Sequence, residues 1–288
     1  SAQAAQEANN AKTVFLQRMS HDIRTPINGI RGMVEIGDSC PDDLERQAQC
    51  RRKIWDASTL LLNLVNEVLD TSKLESGEIT LVKAPLNVNA MNSELVQLVE
   101  SNAAGCGVKV FLGEDVIRHP DVLASPTHLK RLLLNFLSNA IKYNRPGGTV
   151  TLGCKEVSYS DGVVTLQYTC ADTGIGMSEE FQRHVFEPFV CEGRVKPVQG
   201  SNGLGMSIAK GLVDLMGGTV SFTSKEGEGT TFVLVLPFEV ADNAASDAQE
   251  TGPEPAACGT VEGMKVLVAE DNDLNREIAE FMLDAAGV

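Results

Sequence analysis

The chain has 288 residues, more than one ordinary core fills, and its 43% hydrophobic and 22% charged residues are ordinary globular usage, so about two folded domains are expected. Against 39 acidic residues there are 24 basic ones, and the formal charge of −15 excludes a sequence-independent grip on nucleic acid, so any phosphate must be met by a local device. No stretch approaches the roughly 18 consecutive apolar residues of a membrane span, no signal-peptide pattern opens the chain, and seven scattered cysteines form no CxxC pair. The expectation is a chain with reduced thiols in a cytoplasmic setting and no direct membrane contact.

From about Ala11 to Ser39 the spacing of Met19, Ile23, Pro26 and Ile30 predicts a long helix. Ser39 to Asp43 breaks it, and Asp42 with Glu45 resembles a capping box opening a second helix. That helix carries Ile54, Trp55, Leu61, Leu62, Val65, Val68 and Leu69 and stops near Ser76-Gly77. An antiparallel hairpin cannot bury stripes this wide alone, so two chains are expected to pair into a four-helix bundle, a homodimer. On the first helix His21, Thr25, Asn28 and Gln17 fall opposite the apolar stripe, which aims His21 at solvent. An exposed imidazole keeps a ring lone pair for attack, Asp22 can hold the proton on the other nitrogen, and Thr25 sits one turn away, able to position a water. Pro26 is expected to bend or loosen the helix beside them.

Beyond Pro85 short apolar runs alternate with helices. Val108 to Leu112, Val150 to Val157, Val163 to Cys170, Gly218 to Thr223 and Thr231 to Leu236 read as strands, and Met91 to Ala104, Pro126 to Tyr143 and Gly205 to Met216 as helices. Together they make an α+β domain ending near Glu239. Within it Asn135 and Asn139 lie four apart on one helix face with Lys142 three further on, a set suited to Mg²⁺ and phosphate. Asp172 at a strand exit can accept from an exocyclic amine such as that of adenine, and Gly174 and Gly176 let backbone approach a ligand. Val190 to Asn202 is polar and reads as a lid, followed by Gly203 and Gly205 opening a helix whose free N–H groups suit phosphate. Val240 to Gly263 reads as a flexible linker, and Met264 to Asp273 as a buried strand ending in acids, followed by a helix from Leu274 to Ala285.

Taken singly, each piece is an ordinary polar helix face or turn. In this order, SHDIRTP (Ser20 to Pro26), NFLSNAIKY (Asn135 to Tyr143), DTGIG (Asp172 to Gly176), FEPF (Phe186 to Phe189), GLGMS (Gly203 to Ser207) and GEGTTF (Gly227 to Phe232) resemble the boxes of a sensor histidine kinase of two-component signalling, hybrid type. The resemblance implies a dimerisation and phosphoacceptor domain over 10–80, a catalytic ATP-binding domain over 85–240 that is a two-layer α+β sandwich of the GHKL type, a linker over 241–263 and the start of a receiver domain over 264–288. It implies ATP and Mg²⁺ as cofactors, His21 as the residue phosphorylated, Asp22 as its acid/base partner and Thr25 as an aid to water in a reverse, phosphatase reaction. Asn135 and Asn139 are the implied metal ligands. Nucleotide contacts are implied for Asn135, Asn139, Lys142, Tyr143, Asp172, Gly174, Gly176, Phe186, Gly203, Leu204, Gly205 and Thr230. The implied partner is the receiver domain of a response regulator or of the same parent protein. Glu270 and Asp271 match a receiver's acidic pair, while its phosphoacceptor aspartate is expected beyond Val288, so no working receiver and only a loosely packed tail are expected here.

Overall fold

The structure, a computed structural model, describes residues 2–113, 115–188, 190, 203–241 and 265–287, with side chains from 19 onward except at 75. Helix α1 runs Ala2–Ser39, starting earlier than expected because the alanine-rich lead continues the helix. Helix α2, Leu44–Ser76, is capped by Asp43, whose side chain accepts from the Arg46 N–H at 2.9 Å. The cap thus lies one residue later than the Asp42 that the sequence suggested, and the reciprocal box with Glu45 gives way to it. Gly77 closes α2 in the left-handed region at φ 71°, where only glycine escapes a Cβ penalty. Pro26 leaves α1 unbroken; its ring is buried, and its missing N–H removes the i+4 donor from the Asp22 carbonyl.

Met19, Cys50 and Leu64 are buried in the hairpin. Another face stays open: Trp55, Leu62 and Leu69, seven residues apart along α2, are 74%, 64% and 50% exposed, and Ile27 and Val34 of α1 are exposed as well. This is the apolar seam that the pattern in the sequence left without a partner.

After the irregular segment 78–83 come β1 (Ala84–Asn87), α3 (Val88–Gly105), β2 (Lys109–Leu112), β3 (Asp121–Ala124), α4 (Pro126–Lys142), β4 (Thr149–Ser160), β5 (Val163–Asp172), the single turn α5 (Glu179–Gln182), α6 (Gly205–Leu215), β6 (Thr219–Lys225) and β7 (Gly229–Val240). The strands form one sheet in the order β1-β3-β7-β5-β4-β2, with β6 also on β7. Two strands, β1 and β3, were not legible: each has four residues, and Pro85 sits where a strand signal would otherwise read, a position tolerated because β1 is an edge strand. Along β5, Val164, Leu166, Tyr168 and Cys170 alternate into the core with α4 against them, the period-two burial of a sheet with one covered face. Burial pushes the Cys154 and Cys170 thiols up to about 12, which leaves them inert packing groups.

Residues 1–241 form one compact unit, so the hairpin and the α/β layer pack together. Leu74 of α2 lies where a Cβ on Gly211 of α6 would meet its Cδ1 at 3.1 Å, and Arg131 of α4 is ion-paired with Asp70 of α2.

Residues 242–288 make a second unit. Of the expected linker, Val240 instead ends β7, paired with Val122 of β3, and all but Ala241 of the rest lies outside the described residues. The expected buried strand does not form: residues 265–270 take no regular secondary structure and Leu267 is 95% exposed, because no strand pairs with them among the described residues. Helix α7, Asp273–Ala285, does form, capped by Asn272, with none of its residues buried.

Leu132 of α4 is fully buried beneath the sheet. Leu132→Ala is expected to cost about 2–5 kcal/mol of stability, read as a lower midpoint in urea denaturation followed by circular dichroism.

Candidate active site

His21 projects from α1 with 79% of its side chain exposed, opposite the buried Met19 and Pro26. Its Nδ1 lies 3.1 Å from Asp22 Oδ1. A carboxylate at that nitrogen favours the tautomer with the proton on Nδ1, which leaves the Nε2 lone pair directed outward. Thr25 donates its hydroxyl to the His21 carbonyl at 3.1 Å, so the oxygen lone pairs are what it offers to a water.

A cavity of about 290 Å³ opens between α4, the β5 exit, the start of α6 and the start of β7. Asn135, Asn139, Lys142, Tyr143, Asp172, Gly176, Gly203, Gly205 and Thr230 line it together, as does Glu67 from α2. Asn139 directs its Nδ2 to Met206 Sδ at 3.2 Å, and Asn135 its Nδ2 to the Gly205 carbonyl at 3.4 Å. With the amide nitrogen of each already donating to protein, the carboxamide oxygen is left to a ligand, and hard oxygen donors suit Mg²⁺. Lys142 stands at the same helix end, 5.7 Å from the Tyr143 ring centroid. The N-terminus of α6, an eleven-residue helix, brings Gly205 to the cavity with the first-turn N–H groups that have no intrahelical acceptor.

Asp172 ends β5 directly opposite Thr230 of β7. Its Oδ1 accepts from the Gly174 N–H at 2.8 Å and the Thr230 N–H at 3.3 Å. Burial raises the Asp172 carboxyl above its ordinary value, and those two backbone N–H groups oppose the rise. The carboxylate is thereby aimed, partly desolvated and still able to accept.

Three residues expected at the ligand sit behind the wall instead. Gly174 is a packing glycine, since a Cβ there would overlap the Tyr143 carbonyl. Phe186 packs edge-on against Phe222, with ring centroids 5.9 Å apart. Leu204 is fully buried at the start of α6. Gly176 differs from Gly174: it lines the cavity at φ 66°, where a Cβ would run into the Lys225 carbonyl. Phe189 and the expected lid, apart from Val190, lie outside the described residues. Sequence reasoning missed Glu67, for which a helix-surface glutamate gives no signal, and Met206, which it met only as one letter of the GLGMS stretch.

Two families match this chain. Residues 11–77 match the His Kinase A (phospho-acceptor) domain, and residues 124–240 match the histidine kinase-, DNA gyrase B- and HSP90-like ATPase. Among curated relatives, virulence sensor protein BvgS of Bordetella bronchiseptica is 35% identical over 99% of this chain and 23% of its own length. Sensory/regulatory protein RpfC of Xanthomonas campestris pv. campestris is 32% identical over 98% of this chain and 42% of its own. Autoinducer 2 sensor kinase/phosphatase LuxQ of Vibrio parahaemolyticus is 32% identical over 94% and 32%. The chain therefore spans less than half the length of these relatives. Among solved structures, full-length ShkA in complex with AMPPNP matches with a TM-score of 0.59 at 28% identity, over 94% of this chain and 53% of that one. Histidine kinase ThkA in complex with response regulator TrrA shares the fold, with a TM-score of 0.57 at 22% identity over 81% of this chain and 63% of that one.

Because Asp172 has a raised carboxyl pKa in the folded protein, the fold binds its proton more tightly than the unfolded chain does. Its contribution is therefore lost as pH rises from the ordinary carboxylate value through the raised one. Asp172→Asn keeps the accepting oxygen without the charge, so the stability of the variant relative to the parent is expected to increase from acidic to neutral pH. Urea melts across that range check the sign.

Proposed function

The chain carries the phosphoacceptor and ATPase domains of a sensor histidine kinase and belongs to that family, and on this premise we propose that it transfers the γ-phosphoryl group of ATP to His21 and then to an aspartate of a receiver domain. The observation that carries the reading is a pair of sites in one unit: an exposed imidazole with its Nδ1 on a carboxylate, and a glycine-walled cavity whose polar groups converge on one ligand.

In this reading His21 Nε2 forms a bond to the γ-phosphorus as the bond from that phosphorus to the β,γ-bridging oxygen breaks, ADP departs, and Asp22 takes up the positive charge that develops on the ring by holding the Nδ1 proton. Asp172 accepts from the adenine amine, and Asn135 and Asn139 are the residues whose oxygens would hold Mg²⁺, which would neutralise phosphate charge. Lys142 and the N-terminus of α6 meet the phosphates. Tyr143, Gly176, Gly203 and Thr230 shape the cavity around them. The product P–N bond passes its phosphoryl group to a carboxylate, and Thr25 serves the reverse, phosphatase reaction by orienting water. The division of labour follows the boundaries 10–80 for the phosphoacceptor hairpin and 85–240 for ATP binding, with 241–263 a linker and 264–288 a receiver start. We place the chain in the cytoplasm, where ATP is. No helix among the described residues is long and apolar enough to cross a membrane.

The exposed seam on α1 and α2 supports a homodimer, in which the two hairpins close into a four-helix bundle.

Two outcomes test this. His21→Gln is expected to abolish acid-labile label from γ-labelled ATP while nucleotide binding persists; label that survives the substitution refutes the acceptor. Leu62→Glu, which puts a charge in the middle of the seam, is expected to convert dimer to monomer in analytical ultracentrifugation.

A further inference from the structure

Three turns meet beside Asp172, at one end of the cavity: 143–148 after α4, 173–177 after β5, and 226–228 between β6 and β7. Backbone bonds join them in a chain, with Ile175 N–H donating to the Tyr143 carbonyl at 3.0 Å and Gly227 N–H to the Ile175 carbonyl at 2.7 Å. One side chain spans all three. Arg145, on the first turn, donates from Nε to the Thr173 carbonyl at 2.9 Å and from Nη2 to the carbonyls of Gly174 at 3.2 Å and Gly227 at 2.5 Å. Its own backbone is fixed by Asn144, whose Oδ1 accepts from the Arg145 N–H at 2.9 Å while its Nδ2 donates to the carbonyls of Ala140 and Thr149.

Of the two N–H groups that aim the Asp172 carboxylate, one comes from a turn that Arg145 grips and the other from the start of β7, just beyond the third turn. Gly174 carries one of them on the residue whose carbonyl Arg145 holds, and Thr230 carries the other three residues past Gly227. We infer that Arg145 is the positioning residue for Asp172: its planar guanidinium fixes the spacing of these turns, and so sets how well the protein tells adenine from guanine. A lysine keeps the charge but offers one nitrogen in place of a rigid fork, so it cannot hold carbonyls on separate turns in one plane. Adenine offers Asp172 an amino donor where guanine presents a carbonyl acceptor, so a well-aimed carboxylate favours ATP and a loosened one discriminates less.

This inference rests on the kinase reading, and the experiment separates the two. Initial rates of His21 labelling are measured against ATP concentration, and ATP and GTP affinities are compared by competition with a fluorescent adenine nucleotide, for the parent chain, Arg145→Ala and Arg145→Lys, each checked for folded content by circular dichroism. The interaction is made in the ground state as in the transition state, so both variants are expected to raise the half-saturating ATP concentration about tenfold with a smaller change in maximal rate. Both are expected to lose part of the preference for ATP over GTP, and added guanidinium ion is expected to restore part of it to Arg145→Ala but not to Arg145→Lys. A parent chain that takes no label and binds no nucleotide overturns the kinase reading. With an active parent, the inference is overturned if Arg145→Lys matches the parent in ATP affinity and preference. It is equally overturned if the variants lose labelling only in proportion to folded content, with half-saturation and preference unchanged.

Discussion

The antiparallel register that sets Asp172 opposite Thr230 is the constraint on which the site depends. Side chains alternate along β5, so a slip of one residue would turn Val164, Leu166, Tyr168 and Cys170 out of the core and move Asp172 to the other face. Burial of those four side chains therefore holds the register, and the register delivers the carboxylate. The same pairing brings the β6–β7 turn beside the 173–177 turn, close enough that Gly176 and Gly229 tolerate no Cβ against neighbouring backbone.

The phosphoacceptor half obeys the opposite logic. His21 gains its chemical character from being left outside the core, on a helix whose buried face is set by Met19 and Pro26. The hairpin buries only part of its apolar surface, and its remaining seam is the surface that suits a second copy. Contact between α2 and the α/β layer, through Leu74 at Gly211 and Asp70 with Arg131, places Glu67 at the edge of the nucleotide cavity. The Asp70–Arg131 pair there is mostly withdrawn from water, with Asp70 Oδ2 buried, so its attraction is largely offset by desolvation and it fixes the contact more than it stabilises it.

The long helices and the central strands were legible because their periods are strong and their burial is one-sided. Asn135 and Asn139, Asp172, Gly176, Gly203 and Gly205 were legible because a helix face, a strand exit and a helix start are local features. The four-residue strands β1 and β3 were not, since each exists only through pairing with a distant segment. Residues 266–268 failed in the other direction: their apolar run has strand character, but a strand without a neighbour has nowhere to place its backbone hydrogen bonds.

By itself the sequence determined which groups could do chemistry: an imidazole beside a carboxylate on a polar helix face, two amides one helical turn apart, and glycines where backbone must turn or approach closely. Only the tertiary structure decided which of them face one cavity. Gly174, Phe186 and Leu204 belong to the same boxes as the lining residues yet pack behind the wall, and Arg145, in no box, bonds to two turns that follow it by 28 to 82 positions. The physical reason is that local spacing fixes the direction of a side chain relative to its own element, whereas what it meets there is set by pairing and packing between segments far apart in the chain.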